Sequence, residues 1–189
     1  MDASLLDQAL ATLGTLLARR GLQFELVTAG GGSLLLLGLG VRATRDLDIV
    51  AIVSDRSYAK AQPFPADLHD AACDVGAALG LGDDWLNPGP TDLLDFGLPP
   101  GFEQRTVTRT YDGLTLHVAS RSDQICLKLY AAVDQGPRSK HYDDLRRLTP
   151  TAGELLFAAR WTVTHDPSPG FRQQLVEVLH QLGVGDAEL

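Results

Sequence analysis

The chain has 189 residues and a net charge of −8. This length suits one domain, or one domain with a helical extension, and it can bury a core without disulfides or structural metal. The acidic balance argues against broad electrostatic capture of nucleic acid. We find no signal peptide and no apolar run near the roughly 20 residues of a membrane span, so we expect a cytoplasmic protein that does not enter a membrane.

The first predicted elements are a helix, a strand and a glycine turn. Leucines recur at helical spacing over Ser4 to Arg20, and the apolar run Leu22 to Val27 predicts a strand. Glycines follow that strand directly. Leu34 to Leu37 then predicts the first turns of a second helix, with Ser33 as its N-cap. A turn of this kind lets backbone N–H groups face an anion at a helix N-terminus, so we predict a phosphate site at Gly31, Gly32 and Ser33.

Two aspartates open the next predicted strand, Asp46 to Val53. Positions i and i+2 of a strand point to the same face, so Asp46 and Asp48 should lie side by side. Paired carboxylates repel each other unless a cation joins them, and oxygen ligands suit Mg²⁺. The pair therefore predicts a site for Mg²⁺ or Mn²⁺. A phosphate cradle beside such a metal site is typical of phosphoryl or nucleotidyl transfer.

An acidic segment occupies the middle of the chain. Residues 61–104 contain no Lys or Arg but eight acidic residues, which equals the whole net charge. A solvated surface and a docking face for a basic protein partner both explain it. Within the segment, Ala66 to Leu79 predicts a helix after Pro65, and Asn87 to Gly101 predicts a long loop. The acids are Asp67, Asp70, Asp74, Asp83, Asp84, Asp92, Asp95 and Glu103.

The last third of the chain is predicted to be helical. Before it, Asp112-Gly113 joins two alternating runs, Gln104 to Thr110 and Leu114 to Ala119, as a hairpin. We therefore predict an α+β fold: a small mixed sheet with flanking helices and a helical C-terminal third. The predicted domain organisation is a first domain over residues 1–148 and a helical extension over residues 149–189 packed on it.

Two blocks of residues form a recognisable signature. The first block is Gly31-Gly32-Ser33 with Gly40-x-Arg42-x-Thr44-x-Asp46-x-Asp48. The second is Ser122-Asp123-x-x-x-x-Lys128-Leu129-x-Ala131 with Arg138-x-Lys140-x-x-x-Asp144-Leu145. In this order the blocks resemble the polymerase β-like nucleotidyltransferase superfamily, in particular its small bacterial branch related to abortive-infection type toxins of toxin–antitoxin pairs. The resemblance covers roughly residues 22 to 148.

The resemblance implies roles for several charged residues. Lys128 would contact the triphosphate, although its apolar helix also allows a lysine that reaches solvent. Lys140 and Asp144 would lie beside the nucleotide, or pair with each other at i, i+4. Arg42 or Arg45 would steady the phosphates, or form a salt bridge with nearby acids.

The superfamily often has a third carboxylate on a later strand, and here the best-placed residue is His117. The resemblance implies a Mg²⁺-dependent nucleotidyltransferase that moves a nucleoside monophosphate from a nucleoside triphosphate to an acceptor hydroxyl. The acceptor would be a tRNA end, a protein side chain or a small molecule. The alternative is a catalytically idle protein of the same fold that acts as a binding partner, for example as an antitoxin.

Overall fold

The computed structural model describes residues 1–40 and 42–185. The strands are β1 (Phe24–Ala29), β2 (Leu47–Ser54), β3 (Ser57–Lys60), β4 (Leu86–Asn87), β5 (Val107–Tyr111) and β6 (Leu114–Val118). The helices are α1 (Ala3–Arg19), α2 (Gly30–Leu36), α3 (Ala66–Leu79), α4 (Leu93–Phe96), α5 (Phe102–Arg105), α6 (Arg121–Gln135), α7 (Lys140–Arg147), α8 (Ala152–Thr162) and α9 (Pro169–Gln181). None of the helices in these ranges is long and apolar enough to cross a membrane.

The six strands form one mixed sheet in the order β3-β2-β1-β6-β5, with β4 paired to β2. β1 runs parallel to β6 and antiparallel to β2. Because β1 and β6 point the same way, their carboxyl ends lie at the same edge of the sheet as the start of β2. β4 runs parallel to β2 at this edge. The fold thus brings the β1–α2 turn, the first residues of β2 and the end of β4 together.

A bulge interrupts the pairing of β1 with β2. Val27 pairs with Ala51 and Thr28 with Ile49, so Val50 has no opposite residue in this ladder. A bulge adds one residue to one strand and bends it. The predicted strand Asp46 to Val53 is confirmed as β2, which begins at Leu47 rather than at Asp46.

By its contacts the chain divides into two compact units. The first comprises Met1–Leu98 and Glu103–Ala119 and holds the whole sheet. Its core combines the buried leucines of α1 with apolar residues of β1, β2, β6 and α3. Leu6, Leu10, Leu13 and Leu17 have no exposed surface, which is the physical basis of the leucine periodicity in α1.

The second unit comprises Pro99–Phe102 and the chain from Ser120 onward. Within it, α6 packs against α7, α8 and α9. Each of the longer helices begins at a side-chain cap: Ser120, Ser139, Thr151 and Ser168 accept backbone N–H groups. The predicted α+β class and the helical last third are confirmed. The predicted domains, 1–148 and 149–189, stay a prediction.

The predicted loop Asn87 to Gly101 is only partly a loop. Asn87 ends β4, Gly89–Asp92 forms a 3₁₀ turn, and α4 follows. Lys60 holds this segment through ion pairs with Asp92 and Asp95. The segment therefore contains a short strand paired to β2, a 3₁₀ turn and a short helix where the sequence predicted a long loop.

An aromatic cluster in the second unit contains a titratable group. The His165 ring lies 4.4 Å from the Trp161 ring and 5.6 Å from the Tyr130 ring, measured between centroids. Phe171 packs on Tyr130 at 5.9 Å. Burial in this apolar environment lowers the pKa of His165, because it disfavours the charged imidazolium.

We expect the protein to lose stability as the pH falls below about 6.5, in part because of His165. The unfolded chain binds the His165 proton more readily than the folded chain does, so protons favour unfolding and stability rises with pH across this window. The measurement is the free energy of unfolding in urea at pH 7.5 and pH 5.0. His165→Phe keeps a ring and should show a smaller difference between the two pH values. An equal difference in both proteins would contradict the assignment.

Candidate functional site

Asp46 and Asp48 lie at the edge of the sheet where β1 turns into α2. Asp48 is the second residue of β2 and pairs with Ala29, the last residue of β1. Asp46 immediately precedes the strand. Both aspartates are half-buried, whereas Leu47 and Ile49 have no exposed surface. The alternation therefore keeps both carboxylates accessible while the leucine and isoleucine anchor the strand in the core.

Asn87 holds one carboxylate oxygen of Asp48. The Asn87 side-chain amide donates to Asp48 Oδ1 over 2.9 Å, and Asn87 Oδ1 accepts from the backbone N–H of Gly89, also over 2.9 Å. Since β4 pairs Asn87 with Asp48 in register, the strand pairing itself places the two side chains together. Nothing in the sequence pattern indicated Asn87, because a two-residue strand in a segment rich in Pro and Gly leaves no periodicity.

The carboxylate pair fits a hard divalent cation by its donor chemistry, since it offers only oxygen ligands. In the described part of the chain, no group of three or more His, Cys, Asp and Glu residues is placed to hold a metal ion. A Mg²⁺ ion bound by Asp46 and Asp48 would therefore take its remaining ligands from water and from a bound polyphosphate, as Mg²⁺ commonly does in phosphoryl-transfer sites.

The absence of a side chain at Gly30 leaves room for the Asp48 carboxylate. The φ angle of Gly30 is +82°, and a Cβ atom placed on it would lie 2.4 Å from Asp48 Oδ2. The first residue of α2 thus has to be a glycine for two reasons, its backbone conformation and the adjacent carboxylate. Oδ2 of Asp48 consequently faces the turn between β1 and α2.

We expect Gly30→Ala to destabilise the protein and to displace the Asp48 carboxylate. Gly38→Ala is the matched control, because Gly38 also has a positive φ, +71°, but no atom lies within 4 Å of its added Cβ. In both variants the free energy of unfolding should fall by about 1 kcal/mol, because alanine at a positive φ angle is unfavourable. Gly30→Ala should lose roughly 1–3 kcal/mol more, because the added methyl overpacks the site. Urea unfolding of both variants measures the difference, and equal losses would contradict the close contact.

Ser33 is not the N-cap of α2, contrary to the sequence-based prediction. The helix begins at Gly30, its N-cap is Ala29, and Ser33 lies buried in the first turn. The Ser33 hydroxyl lies 2.9 Å from Thr28 Oγ1, which donates to the Asp48 carbonyl oxygen over 2.7 Å. Because Thr28 has only one hydroxyl proton, Ser33 must donate to Thr28. The side chain of Ser33 therefore ties α2 to β1 and β2.

Gly32 makes a packing contact between α2 and β2. A Cβ atom there would lie 2.7 Å from Leu47 Cδ1 and 3.1 Å from the Asp46 carbonyl oxygen. A larger residue would push the helix off the strand. Phosphate binding by the backbone of Gly31, Gly32 and Ser33 stays a prediction, and the structure gives the absence of a side chain at Gly32 a separate, architectural reason.

The two arginines before the aspartates differ in their surroundings. A Cβ atom placed on Gly31 would lie 3.9 Å from Arg42 Nη2, so this guanidinium is adjacent to the glycine turn. Arg45 instead forms an exposed salt bridge with Asp84, at 3.0 Å. The alternative of a salt bridge with a nearby acid is therefore the observed one for Arg45. Such exposed pairs contribute little to stability, so the Arg45 side chain can exchange partners at small cost.

Lys128 and Asp144 form a buried ion pair in the second unit. Lys128 Nζ lies 2.8 Å from Asp144 Oδ2, and each side chain is only 5% exposed. The alternative of a lysine that reaches solvent is therefore excluded for Lys128, and the alternative of an ion pair between Asp144 and Lys140 is not the observed one. Lys140 is exposed at the first position of α7. Roles for these three residues beside a nucleotide stay predictions.

His117 contacts a glutamate rather than the aspartate pair. It pairs with Val27 in the sheet, and its Nε2 lies 3.2 Å from Glu25 Oε2. Asp48 pairs with Ala29 on the other side of β1, two residues further along. His117 is thus two strands away from Asp48, on the order of 10 Å by the spacing of strands.

The acidic segment is partly neutralised by neighbouring bases. Arg20 pairs with Asp74 at 2.6 Å, and Arg45 and Lys60 pair with acids of the same segment. Asp67 and Asp70 are exposed on α3. A strongly acidic docking face would therefore be centred on α3 rather than on the whole of residues 61–104.

Comparison with protein-family models, with curated proteins and with solved structures finds no match to this chain. The resemblance to nucleotidyltransferases therefore depends on the residues themselves.

Proposed function

We propose that this protein is a Mg²⁺-dependent nucleotidyltransferase. The observation that supports it most is the geometry around Asp48. A half-exposed carboxylate pair lies at the edge of the sheet, with one oxygen of Asp48 held by Asn87 and the other facing the first residue of α2. Asp46 and Asp48 would hold the divalent cation, which would supply positive charge for a polyphosphate at the β1–α2 turn.

In the proposed reaction an acceptor hydroxyl attacks the α-phosphorus of a nucleoside triphosphate. The new bond joins the acceptor oxygen to the α-phosphorus, the bond to the β-phosphate oxygen breaks, and pyrophosphate leaves while the hydroxyl proton passes to water. Asp46 and Asp48 would hold Mg²⁺ or Mn²⁺, which would supply positive charge against the phosphate oxygens. Arg42 and the N–H groups of Gly31 and Gly32 would bind the outer phosphates.

The roles of three further residues in this proposal come from the resemblance alone. It implies that Lys128 contacts the triphosphate and that Lys140 and Asp144 lie beside the nucleotide, and the structure itself pairs Lys128 with Asp144 in a buried ion pair. The acceptor is a tRNA end, a protein side chain or a small molecule. The acidic net charge favours an acceptor other than nucleic acid, or an RNA contact confined to a small area.

The test is incubation with each α-labelled nucleoside triphosphate, Mg²⁺ and an acceptor pool of bulk tRNA or cell extract. We expect label to move to one acceptor class with one preferred nucleotide, and to require the metal. Asp48→Asn serves as the inactive control. Label transfer at the same rate by Asp48→Asn, or by the parent in excess chelator, would refute the proposal.

A catalytically idle protein of this fold is the second proposal. It is favoured by the limited set of possible ligands, because no group of three or more His, Cys, Asp and Glu residues within 1–40 and 42–185 is placed to hold a metal ion. In that case the exposed acids of α3, Asp67 and Asp70, would dock a basic protein partner, as in an antitoxin. Metal-dependent triphosphate binding without any transfer to the acceptor pools would favour this reading.

A further inference from the structure

Asp48 has a partner whose own orientation is fixed. Asn87 can rotate its amide in two ways, but only one places Oδ1 to accept from the Gly89 N–H, and that same choice points the NH₂ group at Asp48 Oδ1. The two hydrogen bonds therefore define a single amide orientation. Asn87 is also in register with Asp48 across the β2–β4 pairing, so the backbone supports the contact.

The two carboxylate oxygens of Asp48 face different neighbours, which gives each a different role. Asp48 Oδ1 accepts from Asn87, and Asp48 Oδ2 lies on the Gly30 side of the carboxylate. A cation between Asp48 and a phosphate on the β1–α2 turn would therefore meet Oδ2. Hydrogen bonds that orient a ligating carboxylate are as much a part of a metal site as the ligands are.

We propose that Asn87 is a positioning residue of the metal site, which fixes Asp48 Oδ1 so that Asp48 Oδ2 faces the cation. This inference rests on the proposed function, because it assigns a role within the same site. Asn87 itself does not contact the metal or the nucleotide. In this proposal, β4 and the turn that follows it place the Asn87 amide against the Asp48 carboxylate.

If Asn87 had a purely structural role, any substitution that weakens its segment would weaken metal binding as well. Thr91 provides the comparison. Thr91 is buried in the same segment, and its hydroxyl accepts from the Ala61 N–H at 2.7 Å. This hydrogen bond ties the segment of residues 86–96 to the residue that follows β3. Thr91→Val should therefore weaken the segment and lower the melting temperature, while it leaves the aspartates oriented as before.

The experiment measures Mn²⁺ binding by electron paramagnetic resonance, with Mn²⁺ alone and with ATP, CTP, GTP or UTP. We compare the parent, Asp48→Asn, Asn87→Ala and Thr91→Val, and we record the melting temperature of each. We expect Asn87→Ala to bind Mn²⁺ with triphosphate about tenfold more weakly, the lower end of the effect of removing such a partner. Thr91→Val should bind as the parent does despite a lower melting temperature.

Three results would overturn the inference, and they differ in what else they affect. Parent-like Mn²⁺ affinity in Asn87→Ala, with binding lost in Asp48→Asn, would refute the role of Asn87 and leave the metal site intact. Equal weakening in Asn87→Ala and Thr91→Val would show that the segment acts only through stability. Absence of Mn²⁺ binding by the parent under every condition would refute both this inference and the proposed function.

Discussion

The double variant Asp46→Asn, Asp48→Asn is expected to lose Mg²⁺-dependent triphosphate binding while it keeps its fold. Asparagine has nearly the shape of aspartate, and the Thr28 hydroxyl bonds to the backbone carbonyl of Asp48 rather than to its side chain. An amide oxygen at position 48 can still accept from Asn87. The substitution thus removes two negative charges from the site, and with them the electrostatic basis of cation binding.

We expect the apparent affinity for triphosphate with Mg²⁺ to fall by a factor of about 100 or more, since two charged ligands are lost. The measurement is isothermal titration calorimetry with each nucleoside triphosphate, with and without Mg²⁺. Asp67→Asn, Asp70→Asn is the matched control, because it makes the same change in net charge at two exposed positions of α3. Parent-like binding by the site variant would refute the metal assignment, and equal losses in both variants would indicate an effect of net charge alone.

Lys128→Met is expected to destabilise the protein by about 3–5 kcal/mol, because it leaves the Asp144 carboxylate buried without its ammonium partner. The sequence also allowed an exposed lysine at this position, and replacing an exposed lysine would hardly change the free energy of unfolding. The buried ion pair reverses that expectation. A loss of this size is a large fraction of the 5–15 kcal/mol that stabilises a typical domain. Urea unfolding measures it directly.

The double variant Lys128→Met, Asp144→Leu separates stability from catalysis. Replacing a buried ion pair by apolar side chains is often neutral for stability, so this variant should recover most of the loss. If Lys128 contacts the triphosphate, the double variant should still transfer nucleotide about a hundredfold more slowly than the parent, as expected when one stabilising group of the transition state is removed. A parent-like rate in the stable double variant would remove Lys128 from the site. A parent-like melting temperature in Lys128→Met would contradict the energetic role of the ion pair.

Local patterns were sufficient to predict the larger elements. The leucine spacing of α1, Pro65 before α3, and Asp112-Gly113 between β5 and β6 each act within a few residues, so the sequence shows them directly. The start of α2 was predicted wrongly because three consecutive glycines carry no side-chain cap that would mark its first residue. The observed first residue, Gly30, has a positive φ and leaves no room for a Cβ beside Asp48, and neither property can be read from three consecutive glycines.

Two side-chain contacts that the sequence did not predict join residues far apart in the chain. Asn87 and Asp48 are 39 positions apart, and Lys128 and Asp144 are 16 apart on different helices. No periodicity connects such residues, because their proximity depends on strand pairing and helix packing. The Asp46 and Asp48 pair could be proposed as metal ligands because their spacing alone places them on one side of a strand, whereas their supporting hydrogen bonds required the folded chain.

The bulge opposite Val27 and Thr28 determines which side chains of β2 face the core. In a regular strand, Asp48 and Ile52 would point to the same face because they are four residues apart. Ile52 nevertheless packs on the core together with Leu47 and Ile49. The additional residue, Val50, shifts the alternation by one position between Ile49 and Ile52. The far half of the strand can therefore be anchored by an isoleucine without drawing a carboxylate into the hydrocarbon interior.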